Sequence, residues 1–253
     1  MAECAAAGCR RLTPPGRRSP GVSVIVAVRN GADYLSEALG SIGLQTLPPA
    51  EVLVVDGASS DSSVSVAESF PGVRVVTQLG MGLAGARNQG LALASQPYVA
   101  FLDHDDRWLP DKLALQVGLL EREPGLDYCL CQLRFLSAQG ESIVPPANRA
   151  GAARSFPAVT PGGLVARRDL FERIGGFDPA YRIGCDAAWF TTARDAGIPW
   201  RLLPLELLEK RLHAGNLSNQ SRINRQEMFR IAAASVARRR SGPPSAPSVP
   251  GGG

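Results

Sequence analysis

No run in this 253-residue chain approaches the roughly 20 consecutive apolar residues that a membrane-spanning helix needs, so a spanning segment is excluded. A metal-binding cysteine pattern is missing as well. The five cysteines include no C-x-x-C pair and no zinc spacing, and reduced thiols of a cytosolic chain account for an odd count better than a disulfide framework does. Cys129 and Cys131 alternate along an apolar run and belong on one face of a strand, Cys4 and Cys9 fall near the N-terminus, and Cys185 stands alone. The N-terminal segment has arginines but no continuous apolar stretch, which is not the pattern of a secretory signal. There is no internal repeat. At 45% hydrophobic and 20% charged residues, the composition excludes wholesale disorder, collagen and a disulfide miniprotein.

Charge of one sign is also scarce once it is located. The formal net charge of +4 and a pI near 9.0 invite a nucleic-acid reading. Yet residues 1–20 hold four Arg and one Glu, residues 238–253 hold Arg238, Arg239 and Arg240, and the body between them carries −2. Both ends are rich in Pro and Gly without apolar periodicity, so residues 1–20 and 238–253 read as disordered basic tails. No nucleic-acid partner is expected. The expected location is cytoplasmic, with weak peripheral membrane contact where the tails meet anionic lipid.

Between the tails, strands and helices alternate. Residues 22–28 form a β-branched run of the kind buried on both faces, and Tyr34, Leu35, Ala38, Leu39 and Ile42 follow at helical spacing. Strands at 52–55, 73–77 and 98–102 and helices near 61–69 and 84–94 repeat the alternation. A helix over 110–122 and a strand over 128–135 extend it. This pitch predicts an α/β fold, a Rossmann-like, mostly parallel sheet with helices on both faces. The pattern breaks into Gly, Pro and Ala over 137–161, where a second lobe or a mobile loop would be inserted. A helix over 186–196, a strand pair at 200–203 and 207–213, and a polar amphipathic helix over 221–238 complete the body. The division that follows is a nucleotide-binding part at 21–136 and a smaller part at 137–237.

In open α/β sheets, ligands bind beyond the carboxyl ends of the strands. Arg29-Asn30-Gly31 follows the first strand, Asp56-Gly57-Ala58-Ser59-Ser60-Asp61 the second, and Asp103-His104-Asp105-Asp106 the fourth. Three carboxylates within four residues repel one another unless a cation joins them. A hard divalent ion, Mg2+ or Mn2+, completes its shell with substrate phosphates, which predicts a phosphorylated substrate. The competing reading is an acidic loop that caps the helix beginning at Pro110. Gly80-Met81-Gly82-Leu83-Ala84-Gly85 also fits the dinucleotide pattern G-x-G-x-x-G, with Asp103 about 20 residues on. Two features count against an NAD-dependent oxidoreductase: the loop follows the third strand rather than the first, and the acid belongs to a carboxylate cluster suited to a metal.

The runs VSVIVAVRNGADYLSEALGSIGLQT, EVLVVDGASSDSS and GLAGARNQGLALASQPYVAFLDHDDRWLPDKL, followed by GGLVARRDLFERIGGFDPAYRIGCDAAWF and RLHAGNLS, closely resemble family 2 glycosyltransferases with the GT-A fold. The resemblance covers about residues 21–218. It implies an inverting enzyme that uses Mn2+ or Mg2+ to move a sugar from a nucleotide-diphosphate donor to a hydroxyl on a glycan, a lipid-linked acceptor or a small molecule. It also assigns roles. Asp56 accepts a hydrogen bond from the nucleotide base, Arg29 packs on that base where many relatives have an aromatic ring, and Ala27 and Arg87 lie near the nucleotide. Asp103, His104 and Asp105 fill the D-x-D motif, with Asp105 as direct metal ligand and Asp103 nearer the sugar and ribose. His213 falls near the metal and diphosphate, Asp186 is the general base, and Gly162 and Gly163 let backbone approach the sugar or acceptor within an acceptor-binding part. Asp186 also suits a helix N-cap, and a backbone partner would equally suit His213. Two positions depart from the family: Gly57 replaces a second Asp, and Cys185 replaces the Glu before Asp186. They prompt a competing reading, a catalytically silent nucleotide-sugar-binding protein.

Overall fold

The computed structural model describes residues 20–80, 82–144, 155–216 and 221–241. Residues 1–19 and 242–253 of the expected tails, and 145–154 of the expected insertion, lie outside the described residues. The elements are β1 (Val22–Val28), α1 (Ala32–Gly43), β2 (Glu51–Asp56), α2 (Ser63–Glu68), β3 (Val73–Thr77), α3 (Gly82–Leu93), β4 (Tyr98–Asp103), β5 (Arg107–Trp108), α4 (Lys112–Arg122) and β6 (Tyr128–Leu136). They continue with β7 (Ser142–Ile143), β8 (Phe156–Pro157), β9 (Leu164–Arg167), α5 (Leu170–Ile174), α6 (Cys185–Asp195), β10 (Trp200–Arg211) and α7 (Ser221–Ser241). Among the described residues, no helix is long and apolar enough to cross a membrane.

One sheet runs through the molecule in the order β3-β2-β1-β4-β9-β6-β10-β5. The pairs β3-β2, β2-β1 and β1-β4 are parallel, as the alternation predicts. Every residue of β1 is buried, because helices cover both faces. Val22, Val24, Val26 and Val28 point into a core with α1, α2 and α4, while Ile25 joins α3, α5 and α6 on the other side. Cys129 and Cys131 lie together in the first core, as their alternation predicts.

Three features differ from the sequence expectation. First, β9 inserts antiparallel between β4 and β6, so the sheet is mixed at its centre. Second, the expected strand pair is one long strand, β10, whose register against β6 slips between Leu202 and Glu206 and again between Glu206 and Leu208. Pro204 lies in that slip, where a missing N–H costs no ladder bond. Third, Arg238–Arg240 are not tail: α7 runs through them to Ser241, and Asp195 accepts from Ser235 Oγ at 3.0 Å, Arg238 Nη2 at 2.9 Å and Arg239 Nε at 3.0 Å. Cations in the last turn also suit the negative end of the helix dipole.

The approach of α3 to β1 has no slack. A Cβ placed on Gly90 would fall inside the contact radius of Ile25 Cγ2. Gly90→Ala is therefore expected to destabilise the fold by about 1–3 kcal/mol from overpacking, outweighing the ~1 kcal/mol gain in helix propensity. Urea unfolding measures this, and an unchanged or higher midpoint would contradict the close approach.

Candidate active site

Strand order creates the crevice. The chain passes from β1 outward to β2 and β3, then returns to place β4 on the other side of β1, so the crossovers diverge at β1 and β4. Register then brings the functional ends into one row, with Ala27 beside Asp103 and Val28 beside Asp56. The two loops over this row are locked together. Ser60 N donates to Asn30 Oδ1 at 2.7 Å, Asn30 N to Ser59 Oγ at 2.8 Å, and Gly31 N to Ser63 Oγ at 2.9 Å. Asn30 and Ala58 both adopt positive φ, 52° and 59°, a backbone cost that recurs at ligand sites.

Asp56 is buried at the end of β2. Its Oδ2 accepts from Ser59 N at 3.1 Å, while its Oδ1 has no hydrogen-bond partner among the described residues. A buried carboxylate oxygen left unpaired is unfavourable unless something else donates to it. Arg29 is exposed at the mouth. A Cβ at Gly57 would sit 3.0 Å from Gln78 Oε1 and 3.3 Å from Arg29 Cβ, so Gln78 closes in on the space where the family carries its second acid. His104 packs over Gly31, whose missing Cβ leaves room for the imidazole.

Asp103, Asp105 and Asp106 each offer an oxygen, and these oxygens lie within 4.8 Å of one another. Two of the three carboxylates already face a cation. Asp103 Oδ1 receives Arg87 Nη2 at 2.7 Å, and Lys210 Nζ lies 3.9 Å from Asp103 Oδ2 and 3.2 Å from Asp106 Oδ2. Burial acts to raise the Asp103 carboxyl, but Arg87 and Lys210 outweigh it and hold it down to about 2. Asp106 is held from below by Arg211 N at 2.9 Å, and burial pushes it up to about 7 against the pull of Lys210. Asp105 differs: its Oδ2 meets His213 Nε2 at 3.0 Å and Asn216 Nδ2 at 3.3 Å. One carboxylate and one imidazole thus converge, and among the described residues the Asp105 carboxylate has no guanidinium or ammonium at bonding distance. That oxygen and nitrogen donor set fits Mn2+ or Mg2+.

Arg87, on α3, is 1% exposed. Its Nη1 bonds Asp186 Oδ1 and its Nη2 bonds Asp103, with the guanidinium 5.3 Å from the centre of the Phe177 ring. Cys185 Sγ lies 3.7 Å from Arg87 Nη1 and 3.3 Å from Asp186 Oδ1, and burial followed by the Asp186 charge pushes its thiol up to about 12. Asp186 lies in the first turn of α6; the cap is Gly184, with no side-chain cap bond, so the N-cap alternative does not hold. One buried cation thus joins the first acid of the D-x-D motif to the carboxylate that follows Cys185. The family model described as "Glycosyl transferase family 2" matches residues 23–173.

The chain belongs to glycosyl transferase family 2. An uncharacterized glycosyltransferase of Nostoc sp. (strain PCC 7120) is 33% identical over 184 residues, covering 65% of this chain and 56% of the relative. One from Rickettsia prowazekii (strain Madrid E) is 28% identical over 224 residues, 83% of this chain and 70% of the relative. Among solved structures, a mannosyltransferase of Pyrobaculum calidifontis in complex with GDP-Man and Mn2+ superposes with TM-score 0.67 at 24% identity, covering 87% of this chain and 65% of that one. S. aureus TarS 1-349 in complex with UDP-GlcNAc gives 0.70 at 18%, covering 86% and 66%. At these identities the superpositions establish the GT-A-type fold. The chain spans little more than half of the Nostoc relative's length.

The family 2 chain also fixes its Gly-Gly turn from below. Three successive carbonyls are each taken by a side chain: Gly162 O by Trp108 Nε1 at 3.0 Å, Gly163 O by Gln116 Nε2 at 3.0 Å, and Leu164 O by Lys112 Nζ at 3.4 Å. Lys112 and Gln116 lie four residues apart on one side of α4, and Trp108 reaches the same turn from β5. Trp108 is core, and a Cβ on Gly163 would collide with Ala158, so the glycine serves close packing of the turn. Reasoning from sequence missed Lys112 and Gln116, as well as Lys210, Asn216 and Gln78. For Lys112 and Gln116 the only available signal is polar residues on an otherwise apolar helix face.

Lys112 is fully buried, with its ammonium 4.4 Å from the centre of the Trp108 ring, and burial lowers it from 10.5 to about 8. Between those values the unfolded chain holds a proton that the native state has released, so this group makes stability rise with pH from about 8 to 10.5. Lys112→Met is expected to be most favourable relative to the parent at pH 7, and that difference should shrink by about 3 kcal/mol by pH 10.5. Denaturant titrations at both pH values test it; a pH-independent difference would mean the ammonium is not desolvated.

Proposed function

We propose that this family 2 chain is a metal-dependent, inverting glycosyltransferase that moves a sugar from a nucleoside-diphosphate donor to an acceptor hydroxyl. The observation that carries the reading is the carboxylate set gathered at one crevice, with Asp105 beside His213 and with Asp103 and Asp186 on one buried Arg87. Two solved structures with the same fold carry GDP-Man with Mn2+ and UDP-GlcNAc, which supports a nucleotide sugar as donor.

In this reading the unpaired Oδ1 of Asp56 takes an N–H of the base, and the planar guanidinium of Arg29 stacks on it from the mouth. Ala27, Asp103 and His104 line the ribose and sugar side. Asp105 and His213 would hold Mn2+ or Mg2+, which when bound neutralises the charge growing on the leaving diphosphate. The acceptor oxygen bonds to the anomeric carbon from the face opposite the diphosphate as the carbon–oxygen bond to the diphosphate breaks. The hydroxyl proton goes to Asp186, giving inversion by single displacement. Arg87 serves this step by holding Asp186 and Asp103 in place rather than by meeting the nucleotide. Gly162 and Gly163 form the turn on the acceptor side. The acceptor is a hydroxyl of a glycan, a lipid-linked carrier or a small molecule.

Incubation with a panel of UDP- and GDP-sugars and Mn2+ or Mg2+ is expected to release nucleoside diphosphate. Asp105→Ala should abolish metal-dependent donor binding. Asp186→Asn should bind donor as the parent does while turnover falls at least ~100-fold, the usual contribution of a positioned base. Turnover by Asp186→Asn at the parental rate would refute the base assignment. Thermal stabilisation by a donor without turnover would favour a silent binder, and stabilisation by NAD(H) alone would refute the whole reading.

A further inference from the structure

The turn that delivers Asp186 is held from a distant element. Arg182 N donates to Glu227 Oε1 at 2.7 Å, and Ile183 N and Gly184 N donate to Glu227 Oε2 at 2.9 and 2.7 Å. Glu227 lies on α7 and is 5% exposed. These N–H groups precede and open α6, whose own cap residue, Gly184, supplies no side chain. A buried carboxylate on three backbone donors is a strong, charge-assisted anchor, and such donors also favour its ionised form. Burial alone would raise the Glu227 carboxyl, yet the three N–H groups hold it below its ordinary value.

The approach is close on all sides. A Cβ on Gly184 would meet Met228 Cε at 3.0 Å, Ile231 Cδ1 at 3.1 Å and Glu227 Oε2 at 3.3 Å, so α7 packs tightly over this residue. Arg230 stacks 5.0 Å from the Tyr181 ring centre and reaches Ala180 O at 3.4 Å. Cys185 and Asp186 come next in the chain, and both meet Arg87.

We infer that Glu227 is the positioning residue for Asp186, fixing the 182–184 turn so that the carboxylate one residue into α6 meets Arg87 at the floor of the crevice. The inference rests on the reading of Asp186 as the base. It extends the working enzyme beyond residues 23–173 of the family match to α7. Gln is the informative substitution at 227. Its amide keeps one acceptor oxygen but turns N–H groups toward backbone N–H groups at the other position, so it cannot hold all three donors.

Glu227→Gln should separate local release of the turn from general loosening. Cys185 is buried beside Asp186, and Cys129 and Cys131 are buried in the sheet. Alkylation by iodoacetamide, mapped by mass spectrometry, is expected to speed up at least ~10-fold at Cys185 and to stay unchanged at Cys129 and Cys131. With whichever UDP- or GDP-sugar the parent consumes, kcat should fall at least ~10-fold while the donor KM, and the affinity and stoichiometry for UDP or GDP with Mn2+, remain those of the parent. Parental kcat in Glu227→Gln, equal acceleration at all three cysteines, or no acceleration at Cys185 would each overturn the inference. If Asp186→Asn turns over normally while Cys185 is still released in Glu227→Gln, the base assignment has failed and the anchoring of the turn by Glu227 stands.

Discussion

The site depends on one buried cation. Arg87 comes from α3, Asp103 from the end of β4 and Asp186 from the start of α6, and the guanidinium joins the three. Its planar fork can bond two carboxylates at once, which an ammonium on a flexible stem does not do with the same direction. Burying the charge is costly, and breaking such a pair from one side typically costs about 3–5 kcal/mol because the remaining charge is left uncompensated. Two acids therefore stay close together without repulsion forcing them apart. The ends of β4 and α6 are held in register by that same group.

Much of this was legible in the sequence, for physical reasons that name the residues. Residues 22–28 are apolar throughout because helices cover both faces of β1, so strand and fold class follow from the pattern. Asp56 and Asp103 end β2 and β4, and Asp105 follows two residues on, the positions where an α/β sheet opens its crevice and where the alternation alone puts them. The Gly80–Gly85 fingerprint misleads for the same reason: it follows β3, the edge strand, and Leu79 beside it is 90% exposed. What stayed hidden depends on distant pairing. β9 is four residues long and carries no period to detect, and the partners of Arg87 lie on other elements. Glu227 reads as one more charge on a polar helix until the turn it holds is seen.

The two departures from the family pattern have different structural standing. At Gly57 the neighbouring Gln78 and Arg29 crowd the place of the missing acid, so the loop has adapted around a smaller residue. At Cys185 the thiol contacts both Arg87 and Asp186, so a neutral side chain stands where the family has a carboxylate. Arg87 pairs with two acids, Asp103 and Asp186.

The antiparallel strand at the centre of the sheet also bears on synthesis. β4 and β6 leave the ribosome before the four residues that must lie between them, and β10 follows later still on the far side of β6. A nascent chain ending before residue 164 therefore carries two unpaired strand edges facing a gap, and open edges are templates for wrong partners. The sheet closes from its middle, with a segment that pairs simultaneously to two strands already made. Arg87 waits longer for Asp186, 99 positions away in the chain. Folding is thus dominated by non-local contacts, and Asp186 reaches Arg87 only after the sheet that carries Asp56 and Asp103 has closed.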